Sequence, residues 1–483
     1  MLLWMLPLAF AQDPEPTTTP PGCATRAVAA QGTWPKGSPQ NPGAVAALEA
    51  WAFPEMTEEQ EAARTGVRTE GLLVIQGGEI IYERYDRGFD QDTPHLTWSV
   101  SKTFTNALTA IAVREGRLSL DDSICEYISP ENLDNCKITV EDLLTFGSGI
   151  LWKESYESAP TTSSVVEMLY GKTGPQDMAG FVAAQPRHTD PGEVYQYSSG
   201  DTTLLARIIQ NAMAPAHGAA FPYTMLFEPL SMNSIVWERD AAGTLVGSSY
   251  LYGSPRDLAR FGQLWLDDGC WNGERIFPEG WVQMSTTVNE PIRQSTRDWE
   301  PGDVQGMQMW LNQPLQEQSV DTAPWGEMAP PNAYAARGHW RQAITMVPSY
   351  DMVIVRVGDD RGSDWTFAEL MDRVLALEAP IKDAPSPRAG VTRQVATNTV
   401  VPPQDFKSGL LNIGSGYAAK LACSCAYVME QSRPYCEEWV RASPDITRVR
   451  YDDEEKTATA RIMGLLNKRT ARYINERDGC RLE

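Results

Sequence analysis

Positive charge is in short supply: 41 Lys and Arg stand against 63 Asp and Glu, a formal net charge of -22. That balance excludes recognition of nucleic acid or an anionic membrane through charge. No glycine-rich phosphate loop, dinucleotide fingerprint or H-E-x-x-H helix occurs, so neither a nucleotide nor a catalytic metal is implied. No membrane span is expected, because the apolar run from Met1 to Ala11 falls well short of the roughly 20 residues a span needs. No internal repeat is visible. What is present is globular, with 42% hydrophobic and 22% charged residues. At 483 residues the chain exceeds what one core usually supports, about 250–300 residues, so two folded units are expected.

The short N-terminal run ends in Ala9-Phe10-Ala11, a small-x-small cleavage pattern, and residues 1–11 read as a signal peptide. Export, to the periplasm or beyond the cell, agrees with the even count of eight cysteines. A zinc site is the poorer reading, because Cys423-Ser424-Cys425 lacks the usual C-x₂-C spacing and no histidine follows His339. Disulfides are therefore expected. Cys125 and Cys136 close a short loop, and Cys423, Cys425, Cys436 and Cys480 should pair among themselves, with connectivity left open.

Residues 12–42, rich in Pro, Thr and Gly, read as a flexible arm, and residues 43–380 as the main domain. Within it, Leu72 to Ile75 and Glu79 to Tyr82 flank Gly77-Gly78 as a hairpin, and Ala343 to Val347 with Met352 to Val357 form another. Between them lie helices: one from near Ser99 to Gly116, one opened by Thr139 and Asp142, one by Ser254-Pro255; a further helix spans Asp364 to about Glu378. Strands at both ends around a helical middle predict an α+β fold, an antiparallel sheet flanked by helices beside a helical lobe. Residues 381–404 read as a proline-rich linker, and 405–483 as a small cysteine-rich α+β module with a hairpin at Ile446–Tyr451 and Thr457–Ile462.

Ser99-Val100-Ser101-Lys102 puts a hydroxyl and an amine three residues apart, hence on one helix face. A serine hydroxyl needs a base beside it, and lysine serves only if burial or another cation lowers its pKa well below about 10.4. Trp98, Val100 and Phe104 supply apolar flanks, and the helix start directs its dipole toward an anionic intermediate. Taken alone, the tetrapeptide fits an N-cap serine and a solvated lysine better than a catalytic pair.

The surroundings of the tetrapeptide carry a resemblance. Thr97 to Phe104, Gly116 to Asp122, Ile138 to Gly149, Trp152 to Tyr156 and Pro191 to Gly200 follow one another as in the serine β-lactamase-like hydrolases, most like their nylon-oligomer (aminohexanoate-oligomer) hydrolase branch. The resemblance implies a β-lactamase/DD-peptidase-like fold with Ser99 as nucleophile and Lys102 and Tyr197 as general base and acid. It implies a small-molecule or peptide-like substrate and no cofactor. It also puts Tyr156, Ser199, His339, Arg341 and Gln342 at the substrate, with Glu154 as a further candidate for the substrate rim. In Gly338-His339-Trp340-Arg341-Gln342, Arg341 stands where the family has the glycine that lets substrate approach the strand. An ester- or amide-cleaving acyl-enzyme mechanism is the implied function. β-Lactamase or DD-peptidase activity, or a catalytically weak binding protein with a blocked strand, are the alternatives. Oligomeric state cannot be read from the sequence.

Overall fold

A computed structural model describes residues 33–294, 304–313, 325–383 and 404–483, apart from 157, 363–364, 405, 442–446 and 463–465, together with Cys23 and Arg26. The expected signal peptide and most of the expected linker lie outside the described residues.

The main domain opens with α1 (Gly43–Ala52), then the hairpin strands β1 (Thr69–Gln76) and β2 (Glu79–Tyr85). Helices α2 (Ser101–Arg114), α3 (Ser199–His217) and α4 (Pro255–Leu266) fill the middle. The chain then returns to strands β3 (Gln305–Gly306), β4 (Met309–Leu311), β5 (Tyr334–Gly338), β6 (Gln342–Val347) and β7 (Met352–Gly358), and closes with α5 (Phe367–Leu375). All seven strands form one sheet in the order β2-β1-β7-β6-β5-β4-β3. β1 and β7 pair antiparallel, Val74 opposite Ile354, so the two ends of the domain meet side by side inside the sheet.

Leu72-Leu73-Val74-Ile75 explains the two layers. Alternate side chains of a strand point to opposite faces. Leu72 and Val74 pack with Leu48 of α1 and Leu370, Met371 and Val374 of α5 in one core. Leu73 and Ile75 join the larger core on the other face, with Phe104 of α2 and Phe261 of α4. The latter two rings stack at 3.6 Å. A Cβ on Gly262 would stand 2.5 Å from Val353, so glycine lets α4 lie directly on the sheet.

The expected helix over Asp364–Glu378 is shorter at both ends. Thr366 caps it by accepting from the Glu369 amide, which fixes the start at Phe367. The arm expected to be flexible is, in its described part, fastened to the domain. Trp34 is buried and donates to the Arg256 carbonyl, Cys23 is bonded to Cys270, and Arg26 pairs with Asp267 and Asp351. A single large aromatic and one cysteine outweigh the proline- and glycine-rich composition around them.

The C-terminal module consists of α6 (Leu410–Tyr427), α7 (Arg433–Trp439) and a four-stranded antiparallel sheet, β8 (Thr447–Asp452), β9 (Thr457–Ile462), β10 (Leu466–Asn475) and β11 (Gly479–Leu482), in chain order. Cys423–Cys480 ties α6 to β11, Cys425–Cys436 ties α6 to α7, and Cys125–Cys136 closes its own loop in the main domain. The module is joined to the main domain by buried polar contacts. Lys420 pairs with Glu238, and the Tyr435 hydroxyl donates to Glu70 at 2.7 Å.

Candidate active site

Ser99 sits in a single 3₁₀ turn, Trp98–Val100, that feeds directly into α2. Trp98 holds φ at 51°, a left-handed conformation that costs a non-glycine residue on the order of 1 kcal/mol and recurs at functional sites. The turn delivers Ser99 to the end of β5. There Gly338 passes so close that a Cβ on it would lie 2.2 Å from the Thr97 carbonyl oxygen and 3.3 Å from the Ser99 nitrogen.

One helical turn on, Lys102 is 2% exposed. Its Nζ lies 3.0 Å from Ser99 Oγ, 2.9 Å from Ser199 Oγ and 3.3 Å from the Ser248 carbonyl oxygen. Burial lowers its pKa to about 8, against a smaller opposing pull from Glu154. Ser199 enters because Ser198 caps α3, accepting from the Asp201 amide, and so starts the helix with Ser199 facing Lys102. Asp201 accepts from both Ser148 and Ser198, and burial raises its pKa to about 7.

Behind Ser199 stands Glu154. Its carboxylate accepts from the Ser199 hydroxyl (2.6 Å) and amide (3.0 Å), from Tyr156 OH (2.8 Å) and from Trp152 Nε1 (2.6 Å). Tyr156 is consequently held upright, with a pKa pushed well above 10 by burial and by Glu154, and its ring stacks on His339 at 5.1 Å. Tyr197 turns its ring to Lys102, whose Nζ is 4.8 Å from the ring centroid. Phe146 and Trp310 flank that ring.

Ser99, Tyr156, Tyr197, His339, Arg341 and Gln342 line one cavity of about 210 Å³. Lys102 and Ser199 lie immediately behind Ser99. Two expectations change. Arg341 does not lie on the strand: the close approach to the Ser99 turn is made by Gly338. β5 ends at Gly338, and residues 339–341 form a turn in which Trp340 (φ 55°) and Arg341 (φ 70°) leave the strand line. The Arg341 guanidinium instead lies 5.4 Å from the Trp365 ring centroid, and no acidic side chain pairs with it among the described residues. Gln342 lines the cavity, but its carboxamide is taken up by the backbone. It donates to the His339, Trp340 and Gly358 carbonyls and accepts from the Gly358 amide. These bonds brace the turn.

The close approach of Gly338 and the Ser248 carbonyl beside Lys102 have no signal in the sequence motifs.

The profile of the family described as Beta-lactamase matches residues 55–378. The chain belongs to the beta-lactamase family. It is a serine hydrolase of that fold, and the matched span runs from before β1 to past α5. The 6-aminohexanoate-dimer hydrolase of Paenarthrobacter ureafaciens is 27% identical over 293 residues, 53% of this chain and 73% of that protein. A Bacillus anthracis structure described as a candidate 6-aminohexanoate-dimer hydrolase is similar at 19% identity and TM-score 0.51, covering 71% of this chain and 86% of that one. A candidate β-lactamase from Bacteroides dorei gives TM-score 0.53 at 13% identity, covering 70% and 99%. At these identities the two structures speak for the fold alone.

Proposed function

We propose that this beta-lactamase family member is an exported enzyme that cleaves a carboxylic ester or amide through an acyl-enzyme on Ser99. The observation that carries this reading is the buried Lys102 Nζ, 3.0 Å from Ser99 Oγ with its pKa brought down to about 8. At neutral to mildly alkaline pH an appreciable fraction of that amine is neutral and able to accept a proton.

In the first half-reaction Lys102 takes the Ser99 proton as Oγ bonds to the carbonyl carbon. The resulting oxyanion is met by the Ser99 N–H and a backbone N–H of the turn after Gly338. The bond to the leaving oxygen or nitrogen then breaks. The proton passes from Lys102 to the leaving group, with the Tyr197 hydroxyl as relay. Water, deprotonated by the same pair, attacks the acyl carbon and releases the acid, returning the proton to Ser99.

Tyr156 and His339 form the aromatic wall for the substrate, and Arg341 is the cation for a substrate carboxylate. The name of the Paenarthrobacter relative fits that arrangement, since an aminohexanoate dimer carries an amide with a free carboxylate some carbons away. Four disulfides support export, and no helix among the described residues is long and apolar enough to cross a membrane.

The test is covalent. A serine-directed fluorophosphonate should label the wild type and leave Ser99→Ala unlabelled, and a panel of esters, linear amides and β-lactams should show turnover lost in the same variant. Equal labelling of Ser99→Ala overturns the assignment of the nucleophile.

A further inference from the structure

The Ser99 cavity, at about 210 Å³, is smaller than the roughly 300–1,000 Å³ that usually encloses a small-molecule ligand. A substrate longer than a short acyl group must therefore extend out of it. The structure provides an exit. Tyr156, Gly338, His339 and Arg341 line this cavity and also a second chamber of about 770 Å³. One wall of that chamber is main domain, with Trp98, Tyr170 and Trp340; the opposite wall is the C-terminal module, with Leu410, Ile413 and Tyr417 of α6.

The wall supplied by the module is fixed in place. Lys420 of α6 is buried against Glu238, and the Tyr435 hydroxyl is held by Glu70. Arg361 of the main domain donates to the Trp439 and Arg441 carbonyls while lying 4.1 Å from the Trp340 ring centroid. Trp340 in turn packs edge-on against Trp439 at 6.0 Å. A module serving only to cap the chain would be expected to close against the main domain. Here it leaves a large, mainly apolar space open next to the Ser99 cavity, with Arg341, Asp360, Arg361 and Arg441 among its lining residues.

We infer that the C-terminal module completes the substrate site, and that the physiological substrate is an ester or amide with a long apolar arm that lies in the chamber between α6 and the Trp98–Trp340 wall. This rests on the assignment of Ser99 as nucleophile. The chemistry asked of the arm is apolar surface to cover aromatic rings, worth about 0.8 kcal/mol per buried methylene. The arm can belong to the acyl side or to the leaving group.

Two ester series separate these sources: 4-nitrophenyl esters from acetate to dodecanoate, and acetate esters of ethanol to dodecanol. In the wild type, kcat/KM should rise at least tenfold from the short to the long end of one series. Leu410→Trp and Ala63→Trp fill the chamber from its two sides at exposed positions and should cut that long-to-short ratio at least fivefold. Leu133→Trp, at a 74% exposed position lining neither cavity, should leave the ratio as it is. Ratios that are flat in both series, or that the two filling variants leave unchanged, overturn the inference. Ser99 labelling by a short-chain alkyl phosphonate keeps the two claims apart. Labelling without chain-length preference sinks the chamber alone, and absence of labelling sinks the nucleophile and the chamber with it.

Discussion

Gly338 and Thr97 are in contact through backbone alone: a Cβ on the glycine would stand 2.2 Å from the threonine carbonyl oxygen. Gly338 has extended dihedrals (φ -134°, ψ 162°), so any residue could adopt its backbone, and the demand for glycine is one of space. The first prediction follows from this. Gly338→Ala must push β5 away from the Ser99 turn and with it the donors that meet the oxyanion. A loss of kcat of about 100-fold or more is expected, the size of effect seen when an oxyanion donor is misplaced. Thermal unfolding should shift far less than activity. Retention of kcat within threefold would show that β5 is not part of the reacting geometry.

A second prediction concerns pH. With the Lys102 pKa at about 8, the neutral amine gains population as pH rises through that value. The profile of kcat/KM for an acetate ester should therefore have an acid limb with its midpoint near pH 8. Lys102→Met should abolish turnover across the whole range. The same substitution has a consequence for stability, with the sign set by linkage. The unfolded chain keeps lysine protonated up to its ordinary value of 10.5, while the folded chain gives the proton up near 8. Below pH 8 the fold carries the full cost of burying that ammonium, and the cost is relieved as pH rises toward 10.5. Lys102→Met should thus stabilise the protein at pH 7 by about 2–3 kcal/mol, measured by urea unfolding. A destabilised variant would mean that the hydrogen bonds to Ser99, Ser199 and Ser248 outweigh desolvation.

Much of this was legible in the sequence because it depends on neighbours in the chain. Four aliphatic residues at 72–75 mark a strand buried on both faces, and Ser99 and Lys102 are one helical turn apart wherever that helix lies. Tyr197 and Ser199 could be named from their motif. What could not be read depends on where a strand stops. The segment Gly338 to Gln342 suggests a continuous strand bearing Arg341 at the glycine position. A left-handed pair at Trp340 and Arg341 instead ends β5 at Gly338, and nothing in a bulky Trp-Arg pair announces positive φ. The chamber was equally out of reach, since it lies between residues near 98, 340 and 413 that only the tertiary fold brings together.

A third prediction uses Glu154 to separate electrostatics from scaffolding. Its charge opposes the lowering of the Lys102 pKa, so Glu154→Gln should move the acid limb of the pH profile downward, by a few tenths to about one pH unit. A glutamine oxygen can still accept from Ser199 or Tyr156, and the fold should survive. If the limb moves upward or stays in place while kcat falls, the carboxylate acts by holding Ser199 and Tyr156 rather than through its charge.

The fourth prediction compares two crosslinks. Cys423–Cys480 closes 57 residues and joins the helix that walls the chamber to the last strand, whereas Cys125–Cys136 closes only 11. In the chain-entropy account, the longer loop contributes about 4 kcal/mol and the shorter about 3 kcal/mol. The paired substitution Cys423→Ala with Cys480→Ala should therefore cost more stability than Cys125→Ala with Cys136→Ala. The two pairs should also differ in function. Loosening α6 disturbs the chamber wall, so preference among long esters should weaken in the first pair, with acetate hydrolysis less affected. The second pair lies in the main domain away from both cavities and should keep its chain-length preference. If the two pairs lose that preference equally, the effect is general destabilisation, and the disulfide on α6 does not shape the site.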